Sequence, residues 1–394
     1  MRPYARTFLR YLAVLLTFPL LALATACGAS QNTGGQAAGA ASTTNVAKAA
    51  AFVKQYMNTD ERALPTSAPR PQRGKKVWII SCSQAAEACQ HSTNGMVEAG
   101  RLVGWDTTIF DGKGDPANYS RGVRTAVASK ADAIVLVAVD CSAVKAPLQE
   151  ARQAGVKIFS IYSVDCNQPF GGGGARLFDG QVDWGPKFGS MAGSIENSFA
   201  RLMAEYTIWK TNGKANIIAI TEDDLSIVHQ TYVGYLRWIK TDCPSCKVTE
   251  LPIAFSDLLQ GKLQAKVSSV LTQNPQANVV MAPYDALVVG GVAAAVQGSG
   301  RDKQILLTGG EGFAANVQMI RNGTGQDFAA GAPSRWAGFA AVDQLNRLFH
   351  GQPTVDEGIG QAVIDKDHNL PTKTPFYDGK ADYEANFRKI WGVK

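Results

Sequence analysis

The 394-residue sequence predicts an α/β protein of two doubly wound, Rossmann-like lobes in tandem, and three observations carry that expectation. From Lys75 onward, short β-branched runs alternate with stretches of helical periodicity. The runs are almost continuously apolar, as strands of a parallel sheet covered on both faces must be. After a long helical stretch near 185–209 the alternation starts again, and two domains suit a chain of this length.

In the first half the expected strands are KVWIIS (76–81), TTIF (107–110), AIVLVAV (133–139), KIFSIY (157–162) and RLFDGQV (176–182). The helices between them read NGMVEAGRLVG, YSRGVRTAVASK and SAVKAPLQEARQAG, the last closed by Gly155. In the second half the strands are ANIIAI (215–220), KVTELPIAF (247–255), ANVVMA (277–282), QILLTG (304–309) and DFAAGA (327–332). Their helices are VHQTYVGYLRWIK, LLQGKLQAKVSSVLTQ, DALVVGGVAAAVQGSG and FAANVQMIRNG.

Ahead of this ladder, Arg2, Arg6 and Arg10 precede the apolar run YLAVLLTFPLLALA, which ends in TACGAS; this is a secretory signal pattern. ATAC at 24–27 resembles a bacterial lipoprotein box, with Ala24 where that box usually has Leu. The expectation is a signal peptide over 1–26, cleavage before Cys27, and lipid on its sulfur that anchors the protein to the membrane from the extracytoplasmic side. Residues 27–74 read as a flexible tether rich in Gly, Ala, Ser and Pro, with a possible short helix in VAKAAAFVKQYM.

The net charge is +6, or +3 without the three amino-terminal arginines, and no basic cluster with interleaved aromatics occurs. Nucleic acid is therefore not an expected partner. Beyond Cys27 six cysteines remain: Cys82, Cys89, Cys141, Cys166, Cys243 and Cys246. An even number in an exported chain suggests disulfides. DCPSCK at 242–247 has no second CxxC and only scattered histidines around it, so a small loop disulfide is favoured over a redox dithiol or half a zinc site. For the other four, strand adjacency in a 2-1-3-4-5 sheet allows 82–89 with 141–166, or 82–141 with 89–166. The first is favoured because each bond closes one local loop.

No dinucleotide fingerprint follows the first strand, where the turn reads SCSQAAEACQHSTNG. A P-loop and a nucleophile elbow are also missing, and no nucleophile–base pair emerges, so neither an enzyme nor a cofactor or metal is expected. TEDD at 221–224 could hold a polar ligand or be a solvated turn in which Asp224 caps the next helix. Polar or aromatic residues do recur at the carboxyl ends of the strands, where open α/β sheets bind ligands. They are Ser83, Gln84, Asp140, Tyr162 and Asp165 in the first half, and Glu222, Asp223, Tyr284, Asp285 and Glu311 in the second. Acceptors and rings without a catalytic pair suit hydrogen bonding and stacking on a small polyhydroxy solute.

The blocks WIISCSQ, GMVEAGRLVGW, VRTAVASKADAIVLVAVD and PLQEARQAGVKIFSIYSVD resemble the type I periplasmic sugar-binding proteins of ABC importers. VGYLRWI, PYDALVVGGVAAAV, GGEG and AGFAAVDQLNRLFHGQP continue the likeness in order, so that it covers about 75–394. The resemblance implies two lobes joined by a three-strand hinge, a ligand in the cleft, and lobe closure over it. It places lobe one at 75–181 plus 332–362 and lobe two at 183–330 plus 363–394. It carries ligand roles to Asp140, Tyr284, Asp285 and Glu311, and puts His229 or Thr231 where the family often has an Arg. The first turn lacks the family's aromatic residues, which leaves room for a larger or less polar ligand. The resulting expectation is a monomeric solute-binding lipoprotein that captures a sugar-like molecule and delivers it to ABC permease subunits. The rival is a sensory protein that presents its loaded state to a membrane receptor.

Overall fold

The computed structural model describes residues 45–394. The signal segment, Cys27 and the first part of the expected tether lie outside these residues. A helix, α1, spans 45–54. In the first lobe β1 (Lys76–Ser81), β2 (Asp106–Asp111), β3 (Ala133–Val137), β4 (Lys157–Ile161) and β5 (Gly180–Gln181) form a parallel sheet in the order β2-β1-β3-β4-β5. Every residue of β3 is buried, as its Ile, Val and Leu require when helices cover both faces. The helices α2 (Glu87–Val103), α3 (Pro116–Ala128) and α4 (Cys141–Gln153) follow β1, β2 and β3. Local chemistry sets their ends. The Asp115 side chain accepts from Ala117 N ahead of α3, whose first residue is Pro116, and Gly104 closes α2 at φ 74°.

In the second lobe α5 (Met191–Ser194) runs through a π turn at Ile195–Phe199 into α6 (Ala200–Lys210). The sheet there holds β6 (Asn216–Glu222), β7 (Lys247–Ile253), β8 (Val279–Met281), β9 (Leu306–Glu311), β10 (Phe328–Gly331) and β11 (Ala362–Asp365). Their order, β11-β10-β9-β8-β6-β7, repeats the doubly wound pattern and adds β11 antiparallel to β10. Between them lie α7 (Ser226–Asp242), α8 (Phe255–Leu259), α9 (Leu263–Gln273), α10 (Asp285–Leu287), α11 (Ala293–Gly298) and α12 (Ala314–Asn322).

The chain then returns to the first lobe as α13 (Ser334–Phe349), which lies across α2. Glycines make that close approach possible. A Cβ on Gly338 would stand 2.4 Å from Ser92 O, and one on Gly95 would stand 2.3 Å from Arg335 O. The last helix, α14 (Tyr383–Trp391), packs on α13 through Phe339, Phe387 and Trp391, and Trp391 Nε1 donates to Asp343 Oδ1 at 2.6 Å. The carboxyl-terminal helix therefore joins the first lobe, not the second as the sequence suggested; its apolar face has its complement on α13.

A second correction concerns the tether. Residues 45–74 are part of the fold. Ala49, Val53 and Tyr56 are buried, and Lys48 pairs with Asp242 at 2.6 Å, which docks α1 on the second lobe. Arg201 lies over the rings of both Phe52 and Trp238. The segment beyond α1 runs beside the last interlobe crossing: Val363 N donates to Tyr56 O at 2.9 Å, Asp60 N to Gln361 O at 3.0 Å, and Arg62 N to Gly358 O at 2.9 Å. It then lies on the first lobe, where Asn346 and Arg347 donate to the carbonyls of Pro69 and Ser67, and Trp105 to that of Gln72. The connections at 182–190, 332–333 and 350–361 thus have a fourth interlobe strap alongside them. RLFDGQV shrinks to two residues of strand, because Arg176 and the backbone of Leu177 and Phe178 turn instead onto Asp165.

Candidate ligand-binding site

The carboxyl ends of the two sheets meet across a cleft. At its centre lies a cavity of about 90 Å³ whose wall is mostly apolar, and it adjoins a hollow of about 410 Å³. Ala138, Leu225 and Phe255 line both.

The first lobe contributes the turn after β1, where Cys82 and Cys89 are bonded and both face the cavity. The other bonds join Cys141 to Cys166 and Cys243 to Cys246. Tyr162 follows β4 at φ 58°, in the left-handed region that costs a bulky residue energy. Its ring stacks on Trp184 at 5.1 Å and its hydroxyl shares a hydrogen bond with Ser334 at 3.0 Å. From the second lobe come Leu225, Val228, Phe255, Tyr284 and Glu311. Glu311 ends β9 at φ 85°, a second strained non-glycine residue on the same cavity.

The carboxyl groups here are unusual. Glu222 is fully buried behind Tyr284, whose hydroxyl donates to Glu222 Oε2 at 2.7 Å. Burial pushes the Glu222 carboxyl up to about 8 against the opposing effect of that hydrogen bond. Burial, with the nearby Asp285, holds Glu311 well above the usual carboxylate range. Burial also raises Glu87, in the first turn of α2.

Several expected site residues have other work. Asp140 lies on the wall of the outer hollow and is engaged by backbone donors: Oδ1 accepts from Val164 N at 2.8 Å and Oδ2 from Ser226 N at 2.9 Å. Ser226 is the first residue of α7, so the carboxylate of one lobe caps a helix of the other. Asp224, expected to cap α7, accepts from Phe255 N at the start of α8. Asp285 is saturated by Gln326 Nε2, Gly312 N and Phe313 N, and so braces the turn that carries Glu311. Burial raises its carboxyl to about 7. Asp165 accepts from the backbone of Cys166, Leu177 and Phe178, away from the cavity. Gln84 is held by Ser81 and Thr93, and Ser83 Oγ accepts from Ala85 N, so neither side chain lines the cavity. His229 and Asp223, 2.6 Å apart, lie in the outer hollow, where Phe170 meets the His229 ring edge-on.

The structure thus brings Tyr162, Tyr284 and Glu311 to the inner cavity and adds Trp184, Phe199, Phe255, Glu87 and Gln361, which sequence reasoning missed. Trp184 and Gln361 lie on interlobe connections, and Glu87 looks like an ordinary acid in a first helical turn. The missing aromatic wall of the β1 turn is supplied from these other elements.

A sequence profile described as "Periplasmic binding protein domain" matches residues 79–353. The chain is 25% identical over 223 residues to a D-ribose/D-allose-binding protein of Pseudomonas aeruginosa. That match covers 55% of this chain and 64% of the relative, so the chain spans less than two thirds of that protein's length. Among solved structures, a sugar ABC transporter protein from Yersinia enterocolitica is similar with a TM-score of 0.65 at 19% identity, covering 83% of this chain and 99% of that one. A galactofuranose binding protein gives a TM-score of 0.62 at 17% identity, covering 81% and 99%. A solute binding protein from Mycobacterium smegmatis with bound glycerol gives 0.62 at 18%, covering 77% and 99%. At these identities the likeness is one of fold.

Proposed function

The chain belongs to the periplasmic binding protein domain family, and on that ground we propose that it is an extracytoplasmic solute-binding lipoprotein that takes a small molecule between its lobes and delivers it to an ABC permease. The observation that carries this reading is the cavity between the carboxyl ends of two doubly wound sheets, with strained Tyr162 and Glu311 on its wall. No bond is made or broken in this role. Its work is hinge motion, with Asp140 on α7 and Phe170 against His229 as contacts that join the lobes on the cleft side. The apolar, aromatic wall favours a solute with a substantial apolar face over a fully hydroxylated sugar.

The anchor is proposed from the ATAC sequence ending at Cys27. A thermal-shift and calorimetric panel of sugars, polyols, nucleosides, amines and aromatic solutes tests the binding role. One ligand should raise the unfolding temperature and be recovered unchanged; turnover of that ligand would refute a pure binding role. Cys27→Ser should move the protein from the membrane fraction to the soluble fraction, and retention in the membrane would remove the lipoprotein part.

A further inference from the structure

The charged side chains on the inner cavity are all acidic, while its free donors are Trp184 Nε1, which has no hydrogen-bond partner, and the Gln361 amide. The carboxyl groups of Glu87 and Glu311 face it, and Glu222 stands one hydrogen bond behind, through Tyr284. Two of the hydroxyl protons are already used: Tyr284 donates to Glu222 at 2.7 Å, and Thr231 Oγ1 to the Ile227 carbonyl at 2.9 Å. Gln361 accepts from Ser198 through its side-chain oxygen, which leaves its Nε2 as a donor. Glu222 Oε1, in a fully buried side chain, has no hydrogen-bond partner. Among the described residues no Lys or Arg lines either the cavity or the outer hollow, although the whole chain carries a net +6. The remaining wall is the stacked Tyr162–Trp184 pair with Phe199 and Phe255. Aromatic faces beside carboxyl groups attract an organic cation, and a cation stripped of water needs a carboxylate partner.

Building on the solute-binding role proposed above, we propose that the solute is an organic ammonium ion with an apolar body, its N–H groups donating to Glu311 and Glu87 and its body packed against Tyr162 and Trp184. The outer hollow, with Asp223 and Asp224 on its wall, extends the same negative path outward and draws a cation in.

Proton balance follows from the surroundings of Glu311. The groups facing it are the carboxyls of Asp285 and Glu87 and the hydroxyls of Tyr162 and Tyr284; no cationic side chain is among them. Its carboxyl therefore holds a proton well above the usual carboxylate range. The arriving ammonium favours the ionised form, so the Glu311 proton leaves to solvent while the ligand keeps its own. Affinity for a cation then rises with pH. A neutral solute that accepted a hydrogen bond from protonated Glu311 would show the reverse.

The test is titration calorimetry of the full chain with 2-phenylethylammonium, 2-phenylethanol, phenylacetate and D-ribose between about pH 6 and 8.5, in buffers of differing ionisation heat. The ammonium should bind at least about tenfold more tightly than the alcohol, the scale of one charged hydrogen bond, and phenylacetate should bind weakest. Its affinity should rise with pH, with release of a proton. Glu311→Gln should cost about tenfold or more and flatten the pH profile. Glu87→Gln, at a partly exposed helix start where folding is not at risk, should cost severalfold. Equal affinity for the alcohol, affinity that falls with pH, or two folded variants that bind like the parent would each overturn the inference. Binding of D-ribose without the ammonium would overturn it and leave the solute-binding role standing. Silence from all four probes would overturn the inference, and the wider ligand panel then decides the solute-binding role separately.

Discussion

Asp140 joins the lobes by filling two roles with one carboxylate. One oxygen holds Val164 N within its own lobe, and the other caps α7 across the cleft at 2.9 Å. Asp140→Asn keeps the shape but turns an N–H toward one of those donors. Solute affinity should fall by about 1.5–3 kcal/mol, the scale of a charged hydrogen bond, which is roughly tenfold to a hundredfold. Calorimetry on the folded variant checks this, and unchanged affinity would remove Asp140 from lobe closure. Glu222 makes a different prediction. Burial raises its folded value to about 8, above that of the unfolded chain near 4.5. A raised carboxyl contributes stability that is fully present below the unfolded value and is lost as pH rises through the folded one. The parent should thus lose stability between about pH 5 and 8, by an amount on the order of 3–5 kcal/mol relative to Glu222→Gln. Urea unfolding at a series of pH values measures the difference; parallel profiles would show that Glu222 is ionised throughout.

The α2–α13 crossing rests on Gly95 and Gly338, where backbone meets backbone. In an open helix Gly→Ala would gain about 1 kcal/mol. At Gly338 the new Cβ would stand 2.4 Å from Ser92 O, so Gly338→Ala should instead destabilise by about 1–3 kcal/mol. Thermal unfolding decides between the two signs. Strands β1, β3, β4 and β6 were legible in the sequence within a residue or two because burial on both faces leaves an unbroken aliphatic run. AVID at β11 carries the same kind of run, but it is four residues long, follows a loop and pairs antiparallel, so it passed unread. The strap beyond α1 left no signal at all. Its Pro69, Ser67 and Gln72 hold the fold through their carbonyls, which every residue has, and composition does not reveal a backbone acceptor in use.

At the scale of the whole molecule, the candidate site was legible only where a residue stands at or just past a strand's end in the cleft, as Tyr162, Tyr284 and Glu311 do. Asp165 and Gln84 occupy equivalent places in sequence, yet neighbouring polar groups claim them first: Leu177 N donates to Asp165, and Gln84 Nε2 donates to Ser81 Oγ. Trp184 and Gln361 face the cavity because two lobes are set against each other, and periodicity along one element does not encode that. The strap raises the cost of treating Lys75 as the start of the fold. A chain beginning at Lys75 should unfold at a temperature several degrees lower than one beginning at residue 45, since it exposes the surfaces now covered by Ala49, Val53 and Tyr56. Equal unfolding temperatures would make the strap an ornament. The strap also decides how the molecule bears a load. A pull on the amino-terminal end enters the fold at α1 on the second lobe and loads the Lys48–Asp242 pair before any strand of the first sheet. From there the tension runs into the hydrogen bonds beside the last crossing, between Tyr56 and Val363 and between Arg62 and Gly358, so that tugging on the end of the chain strains the hinge itself.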